Sequence, residues 1–220
     1  MRDGSNSEAE LITMIEGRAL PGRFRLIVAA FAITSCSPIV VAGDNCLGER
    51  WNELPNPVVE SQKDYDRKHD QVGNGSLTYS CNVFTTPSEV KKVLDDLKAA
   101  VLNDDVTALS LITRFPLNVS TSESYVTADG HIRLLTYQIE SPEHLKLNFK
   151  EIFSDDQKSF VACLSVENLD IHPYRGLSAA FGGIWINRSI EDRQLRLQSI
   201  SIVSSAKKRW MAENCDKKET

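Results

Sequence analysis

Apolar residues recur at helical spacing directly after a capping signal in the middle of the chain. Thr86-Pro-Ser-Glu89 places a threonine and a glutamate at the spacing of a capping box, with a proline at the first helical position. This pattern predicts an amphipathic helix of about four turns that ends near Asn103 and packs against a core. Its apolar positions are Val90, Val93, Leu94, Leu97 and Val101.

Three shorter helices are predicted downstream from similar signals. The first begins shortly after Asn103 and is expected to stop at Pro116. Ser141-Pro142 opens the second, and Ser154-Asp-Asp-Gln157 has the spacing of another capping box, which opens the third. Their inward-facing residues are, in chain order, Val106, Leu109 and Ile112; Leu145, Phe149, Ile152 and Phe153; and Phe160, Val161 and Leu164.

Two hairpins are predicted where turn residues separate β-prone segments. Asp129-Gly130 stands between residues 125–127 and 132–139, which are rich in residues that favour strands. Residues 177–186 predict a strand with a turn at Gly182-Gly183, after which Ile184, Trp185 and Ile186 continue.

A final strand is predicted from Leu195 to Val203. Its apolar positions change phase between Leu197 and Ile200, which indicates a bulge or burial on both faces. The order of these elements predicts an α+β fold, in which N-terminal and middle helices pack on a curved antiparallel sheet.

The first 42 residues have the character of a secretory signal peptide. Arginines precede an apolar stretch over residues 26–42, which ends in small residues, and Met14 is the suspected true start. Val40-Val-Ala42 predicts cleavage after Ala42. Ile33-Thr-Ser-Cys36 resembles a lipobox, which would place a lipid on Cys36 instead. An uncleaved anchor is a third interpretation, although the apolar stretch is marginal for a membrane span.

These signals predict an exported protein. We expect it in the periplasm or outside the cell, or alternatively anchored to a membrane through Cys36. The membrane is then touched only by the signal segment or by that lipid.

Four cysteines remain once Cys36 is removed or acylated, and four cysteines allow three pairings. We favour Cys46–Cys81 and Cys163–Cys215, because each bond would close a flank onto the body of the domain. The chain then divides into residues 43–83, a disulfide-tied extension; residues 84–204, the α+β domain; and residues 205–220, a charged tail. Trp51 and Trp210 are expected to pack these flanks onto the body.

Charge and motifs exclude several classes of function. The chain carries 25 lysines and arginines against 30 acidic residues, a net charge of −5, which argues against nucleic-acid binding by bulk electrostatics. The common hydrolase, metalloprotease and nucleotide-binding motifs are absent. No two of the four histidines lie three or four residues apart, so no histidine metal site is encoded locally. Together with the absent motifs, this leaves no predicted catalytic, cofactor-binding or metal-binding residue.

Residues 84–204 resemble the nuclear transport factor two-like (cystatin-like) superfamily, especially its small exported bacterial members. The resemblance rests on the opening amphipathic helix, Leu111-Ile-Thr-Arg-Phe-Pro116, Phe149-Lys-Glu-Ile-Phe153 and Gly182-Gly-Ile-Trp-Ile-Asn187. It implies a cone of curved sheet and helices around a pocket, and by analogy a homodimer formed through the open sheet face. Members include isomerases, dehydratases, cyclases and binding modules without catalysis, so the fold alone selects no function.

Five residues are candidates for a pocket or an interface. His131 follows Asp129 at a strand opening, and the resemblance implies that such a residue can act as a general base inside the cone, whereas the turn itself predicts a solvated residue. Tyr174 and Arg175 lie in a proline-containing connection, where the arginine could clamp an anion. Trp185 faces away from both of its neighbours and either packs in the cone or lines its mouth.

The sequence therefore predicts an exported binding protein of the cell envelope that acts without catalysis. Its partner is an unidentified envelope protein or a small ligand, and one concrete form is an inhibitor or immunity protein for an envelope-acting enzyme. The surface that binds the partner is expected to carry exposed aromatic residues with acidic neighbours.

Two alternatives stay open. One is an isomerase- or dehydratase-type enzyme that uses His131 or Asp129 in an open cone, which a cone filled by Phe149, Phe181 and Trp185 would rule out. The other is a structural envelope lipoprotein tethered through Cys36.

Overall fold

Helices and a six-stranded sheet enclose one apolar core. The computed structural model describes residues 42–72, 75–189, 192–202 and 204–215, so Cys36 and nearly all of the predicted signal peptide lie outside the described residues. No helix in these ranges is both long and apolar enough to span a bilayer. The helices are α1 (Ala42–Glu53), α2 (Glu60–His69), α3 (Tyr79–Val83), α4 (Pro87–Leu102), α5 (Val106–Leu111), α6 (Pro142–Ile152), α7 (Asp155–Cys163) and α8 (Ser205–Asn214), with a 3-10 turn at Val166–Asn168.

The strands form a two-stranded ribbon and one larger mixed sheet. The ribbon pairs β1 (Gln71–Val72) with β2 (Leu77–Thr78). The larger sheet has the order β4-β3-β8-β7-β6-β5. Its strands are β3 (Thr113–Val126), β4 (Ile132–Ile139), β5 (Asp170–His172), β6 (Gly176–Ala179), β7 (Ile184–Arg188) and β8 (Leu195–Ser201).

The α+β class is confirmed, but the prediction of a purely antiparallel sheet is wrong. β3 pairs with β4 in antiparallel fashion and with β8 in parallel. A parallel pair requires a long crossover connection. Here α6, α7 and the antiparallel strands β5 to β7 separate β3 from β8, so the chain can return in the same direction.

Several local predictions are confirmed. Thr86 and Glu89 form the capping box of α4, and Asp129-Gly130 lies in the turn of the β3–β4 hairpin. Ser141 caps α6 by accepting a hydrogen bond from the backbone N–H of His144 at 3.2 Å. In β8, Ser199 pairs with Trp185 and Leu197 pairs with the next residue of β7, Ile186. Gln198 is therefore the extra residue of a bulge.

The prediction that Pro116 ends a helix is wrong. α5 ends at Leu111, and Pro116 lies within β3. The pairing of β3 with β8 is irregular between Thr113 and Asn118, so the missing N–H of Pro116 falls where the ladder is interrupted.

The capping box predicted at Ser154 does not form. The Ser154 side chain makes no capping hydrogen bond at the start of α7. Gln157 is instead fully buried, and its side-chain carbonyl accepts a hydrogen bond from Lys207. The Gln157 side chain therefore bonds to Lys207, which is distant in sequence, instead of to the backbone at the start of α7.

Both predicted disulfides are present. Cys46 in α1 is bonded to Cys81 in α3, and Cys163 at the end of α7 is bonded to Cys215 directly after α8, with Cα atoms 5.3 and 5.2 Å apart. Each closes a loop of the unfolded chain, and a bond of this kind typically stabilises a fold by about 2–4 kcal/mol. The bonds hold the two flanks against the domain, as expected.

Helices of both flanks contribute residues to the apolar core. Tyr79 of α3 is completely buried, and its hydroxyl donates to the backbone carbonyl of Val166 at 2.6 Å. Trp210 of α8 packs edge-on against Phe160 with ring centroids 5.6 Å apart. Trp51 donates through Nε1 to the buried Asp66 of α2 at 2.8 Å.

Glu89 joins three separate parts of the chain. Its carboxylate accepts two hydrogen bonds from Arg50 of α1, at 3.2 and 3.1 Å, and one from Arg188 of β7 at 3.1 Å. The backbone N–H of Thr86 and the hydroxyl of Thr85 donate to the same group. Burial opposes ionisation of Glu89, but the hydrogen bond from Arg50 and the charges of both arginines outweigh it, so its pKa lies below the usual value.

Replacing Glu89 should therefore destabilise the protein strongly. Glu89→Ala leaves the buried Arg50 and the partly buried Arg188 without their shared anion. Loss of one partner from such a group typically costs about 3–5 kcal/mol. Asp96→Ala removes an exposed partner of Lys92 and should cost less than about 1 kcal/mol. Urea denaturation of both variants measures the difference, and equal stabilities would contradict the role of Glu89.

Lys207 of α8 is a buried cation. Its Nζ donates to Gln157 Oε1 at 3.1 Å and to the backbone carbonyl of Ser201, and it lies 4.0 Å from the centre of the Phe160 ring. Burial lowers the pKa of Lys207 to about 7. A Cβ on Gly183 would lie 2.5 Å from Lys207 Cε, so this glycine makes room for the lysine.

The stability of the protein should consequently rise with pH above 7. In this range the folded protein has lost the proton of Lys207, while the unfolded chain keeps it up to a pKa near 10.4. The free energy of unfolding then increases by up to about 1.4 kcal/mol per pH unit. Lys207→Met should flatten this slope, measured by denaturation between pH 7 and about 9.5, whereas Lys208→Met, an exposed neighbour, should retain it. An unchanged slope in Lys207→Met would contradict the assignment.

Candidate functional site

The face of the large sheet opposite its core side is polar. Because directly paired residues point to the same side of a sheet, the strand register aligns one residue from each strand in a row across this face. Trp185 lies within the row, between Ser199 and Ser178. We call this surface the Trp185 face, and its row consists of Gln138, Asn118, Ser199, Trp185, Ser178 and Asp170.

Strand alternation separates this face from the core. Ile184 and Ile186 flank Trp185 in β7 and are buried in the core cluster, as are Leu117 and Val119 on either side of Asn118. Residues of α4, α6 and α7 belong to the same cluster, so these helices pack on the other side of the sheet. Trp185 is partly buried on the polar side, outside that core.

Two side chains from the β5–β6 hairpin lie against Trp185. The guanidinium of Arg175 stands 5.3 Å from the centre of the indole ring, and the His172 ring lies 4.8 Å from it. The Nε2 atom of His172 is 2.9 Å from the hydroxyl oxygen of the buried Ser178. These contacts hold the tryptophan in one orientation against a charged and a polar neighbour.

A shallow concavity of about 330 Å³ lies over this face. It is lined by Asn118, Arg175, Trp185, Asn187, Gln198 and Ser199. An aromatic ring and a guanidinium surrounded by amides and hydroxyls can stack on a flat apolar group and donate hydrogen bonds around it. This chemistry suits binding.

The backbone of the β5–β6 hairpin permits this arrangement. Gly176 has φ +97°, and a Cβ there would lie 2.5 Å from the carbonyl oxygen of Ile186. Only glycine therefore allows β6 to begin so close to β7. Tyr174, at φ +64°, is almost entirely exposed at the tip of the turn.

Asp129 and His131 are exposed and lie outside the apolar core. Both lie exposed at the turn of the β3–β4 hairpin, with 3.8 Å between His131 Nε2 and an Asp129 carboxylate oxygen. A hydrogen bond from Thr127 lowers the pKa of Asp129. The placement is that of solvated turn residues, and it does not provide the burial that a general base beside a substrate needs.

Apolar side chains fill the space between helices and sheet. Phe149 is buried there, as expected, together with Phe153 and Phe160. Phe181, by contrast, is 83% exposed in the β6–β7 turn, and Trp185 lies on the opposite face. Of the three aromatic residues expected to fill this space, Phe181 and Trp185 therefore do not, and Phe153 and Phe160 are buried there instead.

The sequence pattern marks Trp185 and Arg175 but not the residues that complete their surroundings. Asp170–His172 forms a strand of three residues, which is too short to show alternation, so no pattern marks His172. Asn118 occupies a polar position between the apolar Leu117 and Val119, which is a usable signal for an open face once the strands are known. Within the described ranges, no group of His, Cys, Asp and Glu side chains has the geometry of a metal site.

No protein-family model, curated protein or solved structure matches this chain.

The position of Trp185 outside the core gives a direct prediction. Trp185→Ala should cost less than about 2 kcal/mol, whereas Trp210→Ala, which empties a buried site beside Phe160, should cost about 3–5 kcal/mol. Urea denaturation of the two variants measures both costs. A larger loss for Trp185→Ala than for Trp210→Ala would place Trp185 in the core after all.

Proposed function

We propose that this protein is an exported, disulfide-bonded binding protein that acts without catalysis through the Trp185 face. The observation that carries the proposal is the Trp185–Arg175 pair at the centre of an amide- and hydroxyl-lined sheet face. Tryptophan and arginine are the side chains that most often dominate the energy of protein interfaces, and polar neighbours that exclude water typically surround them.

The disulfides support export. Bonds such as Cys46–Cys81 and Cys163–Cys215 persist in oxidising compartments and are rare where thiols are kept reduced. They are compatible with the periplasmic or extracellular location expected from residues 1–42, and equally with a lipid on Cys36.

The nuclear transport factor two-like fold remains part of the proposal. An opening helix pair, a hairpin and two middle helices on one face of a mixed six-stranded sheet support it. The family includes binding modules without catalysis, which agrees with a filled interior among the described residues.

The partner is an envelope protein in this proposal, and an envelope-acting enzyme is its concrete form. The expected acidic neighbours are not found beside Trp185 among the described residues. The adjacent charge is Arg175, and Asp170 lies two strands away in the row. A partner with an acidic or carbonyl-rich patch opposite Arg175 fits this face better. The isomerase or dehydratase alternative is not supported by the exposed positions of Asp129 and His131.

The test is capture from the native host with matched variants. The mature chain carries a C-terminal tag, is cross-linked gently in cells and is purified from the envelope fraction. A stoichiometric partner is expected with the wild type, and reconstituted binding should weaken at least about tenfold in Trp185→Ala and in Arg175→Ala. Lys91→Ala, an exposed change on α4, is the control and should bind as the wild type does.

Three results would contradict the proposal. A partner retained at full strength by Trp185→Ala and Arg175→Ala would bind elsewhere on the protein. Capture of no macromolecule at all would remove the protein partner and favour a small ligand, while recovery of a second copy of the chain would point to the homodimer implied by the resemblance.

A further inference from the structure

A second, larger cleft lies away from the Trp185 face. It encloses about 730 Å³, within the range of small-molecule sites, between the segment joining α1 to α2, the first turns of α4 and the ends of β7 and β8. Neither Trp185 nor Arg175 lines it.

The cleft combines apolar walls with a charged floor. Leu54 and Pro57 line the side formed by the α1–α2 segment, and Val93 and Ile112 line the side formed by α4 and the end of α5. Arg50, Glu89 and Arg188 line its polar part. A ligand that fills this space therefore needs an apolar body and a polar end.

Glu89 and Arg50 have little hydrogen-bonding capacity left for such a ligand. Glu89 already accepts five hydrogen bonds, and a carboxylate offers about four lone-pair sites. Arg50 uses all three of its nitrogen atoms, two on Glu89 and one on Glu53.

Arg188 has N–H groups that are not used in hydrogen bonds within the described residues. It donates to Glu89 and to the backbone carbonyl of Arg193, while its Nε is buried with no partner among the described residues. A guanidinium has five N–H groups, and an unsatisfied buried donor is unfavourable. Burial also lowers the pKa of Arg188, in spite of the opposing charge of Glu89, as expected for a cation that is incompletely compensated.

The remaining charges at the cleft are paired with one another near its rim. Lys92 contacts Asp96, Asp192 contacts Arg196, and Arg193 lies 3.9 Å from Glu53. Glu53 also contacts Arg50, so Glu53 and Glu89 are shared among three arginines, Arg50, Arg188 and Arg193. This group of charges therefore keeps one positive charge in excess. This excess is complementary to a single anionic group.

We propose that this cleft binds an amphiphilic monocarboxylate, with the carboxylate on Arg188 and the apolar body between the Leu54–Pro57 wall and the Val93–Ile112 wall. The shared chemistry has two sources, a free carboxylic acid or the C-terminus of an apolar peptide. The inference stands independently of the Trp185 face.

Calorimetric titration of the full mature chain tests the proposal with four probes. These are octanoate, its uncharged analogue octanamide, acetyl-Leu-Leu with a free C-terminus, and the same peptide amidated. Octanoate is expected to bind with a Kd of about 1 mM or lower, and octanamide at least about tenfold more weakly. If the free-acid peptide binds more tightly than octanoate, the natural ligand is the C-terminus of a peptide. If octanoate binds and the free-acid peptide does not, the natural ligand is a free carboxylic acid.

Variants locate the site. Arg188→Gln should weaken octanoate at least about tenfold, and Leu54→Glu, which places a negative charge on the wall without touching Glu89, should do the same. Lys91→Ala should bind as the wild type does. Equal affinity for octanoate and octanamide, or no binding of either acid at millimolar concentration, overturns the proposal even if Arg188→Gln does not fold.

Discussion

The bonds made by the Glu89 carboxylate hold the architecture together. Glu89 closes the capping box that starts α4, neutralises Arg50 of α1 and accepts from Arg188 at the end of β7. A helix start, the N-terminal flank and the sheet therefore meet at one side chain. The Cys46–Cys81 bond ties α1 to α3 near the same region, so a covalent and an ionic constraint act on one flank.

Strand β7 connects this junction to both candidate sites. Arg188 at its end contacts Glu89 and lines the larger cleft, and Trp185 within the same strand is central to the polar face. Alternation along the strand sends Ile184 and Ile186 into the core, which fixes the direction of Trp185. The position of the Trp185 face thus follows from packing on the opposite side of the sheet.

Local signals predicted local structure, and distant partners account for the errors. Thr86 and Glu89 lie close together in the sequence, so their spacing predicts the start of α4. Residues 129–130 likewise predict the turn of their hairpin. Lys207 stands at the inward-facing position that would complete the periodicity of Trp210 and Met211, so the sequence pattern does not indicate that α8 contributes to the core. The parallel pairing of β3 with β8 and the row of residues around Trp185 depend on strand order, which a single sequence does not encode locally.

The proposed function requires that the Trp185 face meets a partner. Site-specific photo-cross-linking in the native host tests it most directly, with the reactive residue at Gln198 on this face and, in a second variant, at Leu147 on the exposed side of α6. The account predicts one discrete adduct from position 198 and none from position 147. Adducts of equal yield from both positions, or an adduct from position 147 alone, would contradict it.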